Sequence, residues 1–585
     1  MLTSVRTPAL IATLLILLLA AVIPTPARAQ VTTDANHHYL DFRGVTTPLI
    51  GLSGEYLPHV TRSSKQAKLC TFESYPSCLV NLHNAGLNKM QLWVSLNSSI
   101  GLGDGNLVNL MNPPPNTKKV PYDYEQPFFW NGNKWRLDRY EPTFWSRLNQ
   151  VIADADTYNI VVEVTLFDPW GGVDHSLNPP NPTSPWNANN NIVVNPPAGC
   201  GGTAGFTDVR YFVSTDNDSV GGVLTANGCA RAQQMALVAA IAKQLNPRTN
   251  FYWNIANEVD LVPPGGFNAP TTTGLVNWIN AVAAQIASVE GTASYPNTHL
   301  MGVNITNQAT VADVQSNSPV ALDSRITILS GHYVKFNTAG SVGALPLLTG
   351  SINSTPAPLA FGFSEGRSAP CPSLTGSRAE AWEFMSGGGA SYDNYNLGWN
   401  DTPTTTSVEP WLANLKSFLS PFTLTNFGTL PGSTLAWAPG LPSYGSPDGS
   451  GTNFYWGAMQ WTRNQYALYM HHSSIPTGAN GARYAPPATC PVSGQPNGFQ
   501  TSMNLSLGSL SNHFKAEWIF PATGAVACTQ DVNYTAGVNV PVTSPRYRYD
   551  LALRLTRCPT SAACAPVQNC STVTADACFP PDPTC

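Results

Sequence analysis

Charge is scarce in this chain: Asp, Glu, Lys and Arg make up 11% of 585 residues, for a net charge of −5. A protein with so few basic groups raises no positive field to gather phosphates, which argues against nucleic acid as a partner. Long apolar runs are missing too. The best candidate, Leu10 to Ile23, falls short of the roughly 20 residues that cross a bilayer. It follows Arg6 and precedes the small-residue pattern Ala27-Arg28-Ala29, so it reads as a signal peptide cut after Ala29. The mature chain is therefore expected to be secreted or periplasmic, with no membrane partner. Cysteine pairs at C-x2-C spacing beside histidines are also absent, which leaves a zinc site without support, and no metal is expected.

What the chain does have is 12 cysteines, 47 glycines and 50 prolines. Behind a signal peptide the cysteines read as disulfides, because the compartment is oxidising. Proximity suggests Cys70 with Cys78, Cys200 with Cys229 and Cys490 with Cys528, while Cys558, Cys564, Cys570, Cys578 and Cys585 crowd the last segment.

From about Asp41 to Leu419 short apolar runs alternate with amphipathic helical stretches, the pattern of repeated βα units on a parallel sheet. Eight runs stand out: Pro48 to Tyr56, Lys89 to Leu96, Ile160 to Phe167, Asn250 to Asn257, His299 to Ile305, Ile326 to Tyr333, Leu359 to Ser364 and Ala390 to Tyr395. Eight strands close a (β/α)8 TIM barrel. Pro142 suits a first helical turn, and Phe144, Leu148, Val151, Ile152 and Ala155 follow it at helical spacing. The stretches Ala232 to Leu245 and Leu275 to Val289 carry similar apolar faces. Past about Ser420 the pattern changes to strands and turns without helices, which predicts an antiparallel β-sandwich. The domain plan is a signal peptide over 1–29, an α/β barrel over 30–419, a β-sandwich over 420–557 and a Cys-rich tail over 558–585. That tail is too short for its own core and needs disulfides to hold a shape.

Two connections are much longer than a βα unit needs: Asn97 to about Tyr140, and Asp168 to about Gly228. Both follow strand ends, the face on which barrel active sites lie. Trp130, Trp135, Trp170 and Trp186 are candidates there for stacking on sugar rings, although packing between the loops explains any single one as well.

The fourth run ends Trp253-Asn254-Ile255-Ala256-Asn257-Glu258, and the seventh ends Phe363-Ser364-Glu365-Gly366-Arg367. Two carboxylates thus arrive at equivalent heights on strands four and seven. In this the chain resembles the clan A retaining glycoside hydrolases, the cellulase-like and apiosidase-like barrels with a C-terminal β-sandwich, over about residues 38 to 419. The resemblance implies a retaining hydrolase of polysaccharide or oligosaccharide that needs no cofactor. Glu258 would be general acid/base, Asn257 the partner of the sugar 2-hydroxyl, Glu365 the nucleophile and Tyr333 the aromatic that holds it. Where many members carry an arginine near the end of strand two, this chain has Gln91 in Lys89-Met90-Gln91-Leu92-Trp93. Support for the nucleophile must then come from elsewhere, with Lys89 and Arg367 as candidates.

Further polar and aromatic residues at strand ends are expected to contact sugar: Glu55, Trp93, Asp168, Trp170, His332, Tyr392 and Asn394. For each, a loop hydrogen bond or a cap is the plainer alternative. Glu163 lies inside strand three, where a carboxylate is more often paired than catalytic, since an unpaired one is costly. A monomer is expected. The competing function is a catalytically inactive barrel that binds carbohydrate at a surface; an inverting hydrolase or a lyase with a different acid pair is a third.

Overall fold

A computed structural model describes residues 31–54, 57–59, 74–96, 126–131, 133–168, 185, 191–194, 219–220, 223–224, 226–257, 269–305, 322–331, 360–366, 374–394, 408–425, 435–448, 451–461, 465–474, 497–509, 511–564 and 568–573. Eight parallel strands close a barrel in chain order. They are β1 (Leu49–Ser53), β2 (Lys89–Leu96), β3 (Val161–Asp168), β4 (Phe251–Ala256), β5 (Met301–Ile305), β6 (Ile326–Gly331), β7 (Ala360–Gly366) and β8 (Ser391–Asn394). Each lies on one of the eight runs expected from the apolar pattern. The seventh extends two residues beyond its expected end and so takes in Glu365.

The described helices around the barrel are α1 (Tyr75–Asn84), α2 (Pro142–Thr157), α3 (Ala226–Leu245), α4 (Ala269–Val289), α5 (Leu374–Ser386) and α6 (Glu409–Leu419). Helix α2 shows how local chemistry sets a boundary. Pro142 opens it, the Glu141 side chain accepts from the Thr143 backbone N–H, and Phe144, Leu148, Val151, Ile152 and Ala155 bury one face.

The two long connections meet each other. Phe128–Trp130 and Trp135–Tyr140 form a hairpin from the first, and Trp135–Tyr140 pairs in parallel with Asn191–Ile192 from the second. The Arg136 guanidinium forks onto Asp138 at 2.8 and 2.9 Å, and Asp138 accepts from the Val194 backbone N–H at 3.1 Å. One charged pair thereby ties the two connections together.

The C-terminal region is a six-stranded antiparallel sheet, in the order Ser446–Pro447, Thr452–Trp461, Gln465–Ser474, Asp550–Cys558, Asn512–Ile519 and Val526–Tyr534, plus a two-stranded sheet of Ser502–Leu505 and Val540–Thr543. The large sheet is buried on both faces, and the alternation of its side chains shows how. Phe454, Trp456, Ala458, Tyr466, Leu468 and Met470 join a core with Met503, Leu505 and Val542 of the small sheet. Met459, Trp461, Ala467 and Tyr469 belong to the barrel's own core. Trp382 on α5 packs against Tyr469 at 5.7 Å between ring centroids, and Arg378 on α5 makes a buried two-pronged pair with Asp550 at 2.8 and 3.1 Å. The sheet therefore buttresses the barrel.

This contact leaves no room at Gly457, where an added Cβ would stand 2.0 Å from the backbone oxygen of Glu383 on α5. Gly457→Ala should destabilise the protein by about 1–3 kcal/mol, the usual range for overpacking. Denaturant unfolding checks it, and an unchanged midpoint would contradict the close approach of sheet and helix.

Two disulfides have both ends among the described residues, Cys528–Cys570 and Cys558–Cys564, each with Cα atoms 5.7 Å apart. The expected Cys490–Cys528 bridge is thus corrected. Cys528 lies on the strand Val526–Tyr534, beside the short 3-10 turn Cys570–Thr572, and that separation suits a disulfide. Cys78 and Cys229 are disulfide-bonded, and their expected partners Cys70 and Cys200 lie outside the described residues. The described part of the tail is pinned by disulfides, as its shortness required, and Cys570 is fully buried in the second core. Cys570→Ala together with Cys528→Ala should lower stability by about 2–4 kcal/mol, the range for a bridge closing a loop of this size. Equal melting temperatures with and without the bridge would contradict that.

Candidate active site

The eight parallel strands point their C-terminal ends to one face, and β4 and β7 are three positions apart round the closed barrel. On β4, Tyr252 donates to Glu163 at 2.6 Å and Asn254 donates to Thr165 at 2.9 Å, so both face the barrel interior. The same alternation runs on through Ala256. Asn257 follows directly, buried, its backbone N–H bonded to the Phe167 oxygen at 2.9 Å. Glu258 is the next residue and lies outside the described set.

Strand β7 places Glu365 one residue from its end. The pairing with β6 ends at Gly331 opposite Phe363. The pairing with β8 begins at Gly362 opposite Ser391, and between Phe363 opposite Tyr392 and Gly366 opposite Asn394 it advances three residues on β7 against two on β8. One extra residue is thus inserted at 364–365, a β-bulge, which interrupts the strict alternation of faces.

Below that level the interior is polar and charged. Lys89, Glu163 and Asp393 are fully buried. The Lys89 ammonium contacts Glu163 at 2.8 Å and makes a short hydrogen bond to Asp393. Glu163 also accepts from Tyr252 at 2.6 Å, Ser364 at 3.1 Å and Asn304 at 3.2 Å. This is the paired carboxylate expected inside strand three. Burial opposes the charge on Lys89, but Asp393 and Glu163 more than offset it and hold the ammonium well above its ordinary pKa. Burial likewise pushes Glu163 upward, and Lys89 outweighs it, so its carboxyl sits below the ordinary range. Burial first, and the Glu163 charge second, raise the Tyr252 phenol well above its ordinary value.

Gln91, at the position where the resemblance expects arginine, is neutral and fully used. It accepts from Ser53 at 2.9 Å and donates to Thr165 at 3.2 Å and to Glu163 at 3.4 Å. Trp93, two residues on, is buried, and its backbone oxygen meets the His59 ring at 3.0 Å.

Strand eight turns the other way from the expectation for Tyr392 and Asn394. Asp393 is the residue that meets Lys89 inside the barrel. Tyr392 donates instead to Glu380 on α5 at 3.2 Å and stacks on Phe363, while Asn394 donates to the Tyr392 hydroxyl at 3.3 Å. Both residues therefore join the layer between strands and helices, and burial, then Glu380, pushes the Tyr392 phenol well above its ordinary pKa. Asp168 ends β3, paired with Leu96, but its side chain is outside the described set. Glu55, Trp170, Trp186, Arg367, His332 and Tyr333 lie outside the described residues.

On the hairpin of the first long connection, Trp130 is 45% exposed, the only exposed Trp, Tyr or Phe among the described residues. Its ring lies 4.8 Å from that of the partly buried Trp135. A separate groove of about 560 Å³ lies on the outer wall between α2 and α3, lined by Tyr140, Trp145, Asn149, Gln244 and Arg248 among others. None of its described lining residues is a carboxylate.

Sequence reasoning missed Asp393 and Ser364 as members of the interior cluster. Ser391 and Asp393 share one face of β8, but Tyr392 and Asn394 on the other face also carry polar groups, so the strand's own sequence does not single them out.

No protein-family model and no curated protein sequence matches the chain. Solved structures do. A putative glycoside hydrolase from Bacteroides vulgatus superposes with a TM-score of 0.51 at 13% identity, covering 91% of this chain and 83% of that one. A glycoside hydrolase family 5 protein from the same organism gives 0.50 at 11% identity over 90% and 93%. Another, described as a glycoside hydrolase, gives 0.50 at 11% over 90% and 97%. Barrel and C-terminal sheets together thus have the fold of solved glycoside hydrolases.

Proposed function

We propose that the protein is a secreted retaining glycoside hydrolase acting on a polysaccharide or oligosaccharide. The supporting observation is the delivery of Asn257 and Glu365 to the same end of one closed barrel, from β4 and β7. The bulge adds to it. Strict alternation from the inward-facing Ser364 would assign position 365 to the opposite face, and the inserted residue removes that assignment.

In the proposed reaction the Glu365 carboxylate attacks the anomeric carbon while the Glu258 carboxyl protonates the departing glycosidic oxygen. Water then cleaves the glycosyl ester, giving its proton to Glu258 and releasing Glu365. The two roles need opposite protonation states, which different surroundings supply. Asn257 binds the 2-hydroxyl, and Trp130 with Trp135 offers an apolar face to a more distant sugar ring. The mature protein begins at Gln30 and works as a monomer.

The test is hydrolysis of a panel of aryl glycosides and polysaccharides, with the first-formed anomer followed by NMR. Retained configuration is expected. An inverted product would remove the double displacement, and polysaccharide binding without any hydrolysis would favour the inactive-barrel reading.

A further inference from the structure

The missing strand-two arginine raises the question of what fixes the end of β7. Lys89 does not supply a spare positive charge, because its one ammonium already serves two buried carboxylates, Glu163 and Asp393. The neutral Gln91 cannot supply one either. What reaches β7 is a hydrogen bond. The Ser364 hydroxyl donates to Glu163 at 3.1 Å and lies 3.5 Å from the Lys89 ammonium.

The place of that contact matters. Residues 364 and 365 fall in the gap between Phe363, the last residue in register with β6, and Gly366, where the β8 register resumes. A bulge leaves backbone without its regular ladder partners, so the segment needs another anchor. Ser364 is inside that gap, immediately before Glu365, and its partner Glu163 is held in turn by Lys89, Tyr252 and Asn304.

We propose that Ser364 is a positioning residue, whose hydroxyl ties the bulged end of β7 to the buried Lys89–Glu163–Asp393 cluster and so fixes the backbone from which Glu365 acts. This rests on the reading of Glu365 as nucleophile. Displacement of a nucleophile by a fraction of an ångström reduces turnover without weakening ground-state binding.

Tyr252 provides the comparison, because it also donates one hydrogen bond to Glu163 but from β4, so that its loss reaches position 365 only through that carboxylate. Ser364→Ala and Tyr252→Phe each delete one hydrogen bond to the same carboxylate. On an aryl glycoside, Ser364→Ala should lower kcat by about tenfold or more with KM within about twofold, while Tyr252→Phe, which acts on β7 only through Glu163, should cost several-fold less in kcat. A Ser364→Ala enzyme with wild-type kcat, or equal kcat losses in both variants, would overturn the positioning role. Glu365→Gln, assayed alongside, separates the two readings. If it is inactive while Ser364→Ala is unaffected, only the positioning role fails. If it is as active as wild type, the nucleophile assignment and the positioning role both fall.

Discussion

Glu365→Gln is expected to lower kcat/KM on glycosides by at least about 10⁴-fold, because the proposed double displacement forms no covalent intermediate without this carboxylate. Glu258→Gln should behave differently. General acid catalysis contributes about 10²–10⁴-fold, and an activated aryl group leaves without a proton. The Glu258→Gln loss should therefore be small for a good leaving group and approach that range for a poor one. The dependence on leaving-group pKa is the measurement, and a flat dependence in Glu258→Gln would contradict the acid role. Similar residual rates in wild type and both variants would mean that neither carboxylate does the chemistry.

Lys89→Met should have the largest effect on stability. It leaves Glu163 and Asp393 buried together without their cation, and breaking a buried pair by removing one partner costs about 3–5 kcal/mol. Removing all three charges, as Lys89→Met with Glu163→Gln and Asp393→Asn, should recover part of that loss, since no bare charge remains. A cost below about 1 kcal/mol for Lys89→Met would contradict the account of the cluster.

The same cluster sets a pH window. The Glu163 pKa is depressed in the folded state, so its contribution is present above the unfolded value of about 4.3 and fades as pH falls through the native one. The Lys89 pKa is raised, so its contribution is present below about 10.4 and fades as pH rises through the native value. The stability difference between wild type and the triply substituted chain should be flat between those limits and shrink on either side.

The barrel was legible in the sequence because each strand is a short apolar run, and the helices around it follow their own period, as at Phe144, Leu148, Val151 and Ile152. The pairing of Trp135 with Asn191 was not, since it joins two irregular segments 56 residues apart and no local pattern encodes it. Disulfide connectivity is similarly hidden. Cys528 finds Cys570 and not Cys490 because the sheet, not chain proximity, brings them together. The place of Asn257 and Glu365 at the ends of strands four and seven could be read from the apolar pattern alone. The facing of β8 could not. With four residues, Ser391–Asn394, alternation admits two assignments, and only the contact between Asp393 and Lys89 decides between them. The bulge at 364–365 is a feature of register between strands, which a single strand's sequence does not display.

The most direct test of the whole account is a crystal structure in which the carboxyl carbons of Glu258 and Glu365 are both defined and their separation is measured. The retaining mechanism requires about 5 to 5.5 Å across an open cleft at the strand ends. A separation of about 6.5 to 9.5 Å would make room for an attacking water and contradict double displacement. Carboxyl groups on different faces of the barrel would contradict the enzyme itself.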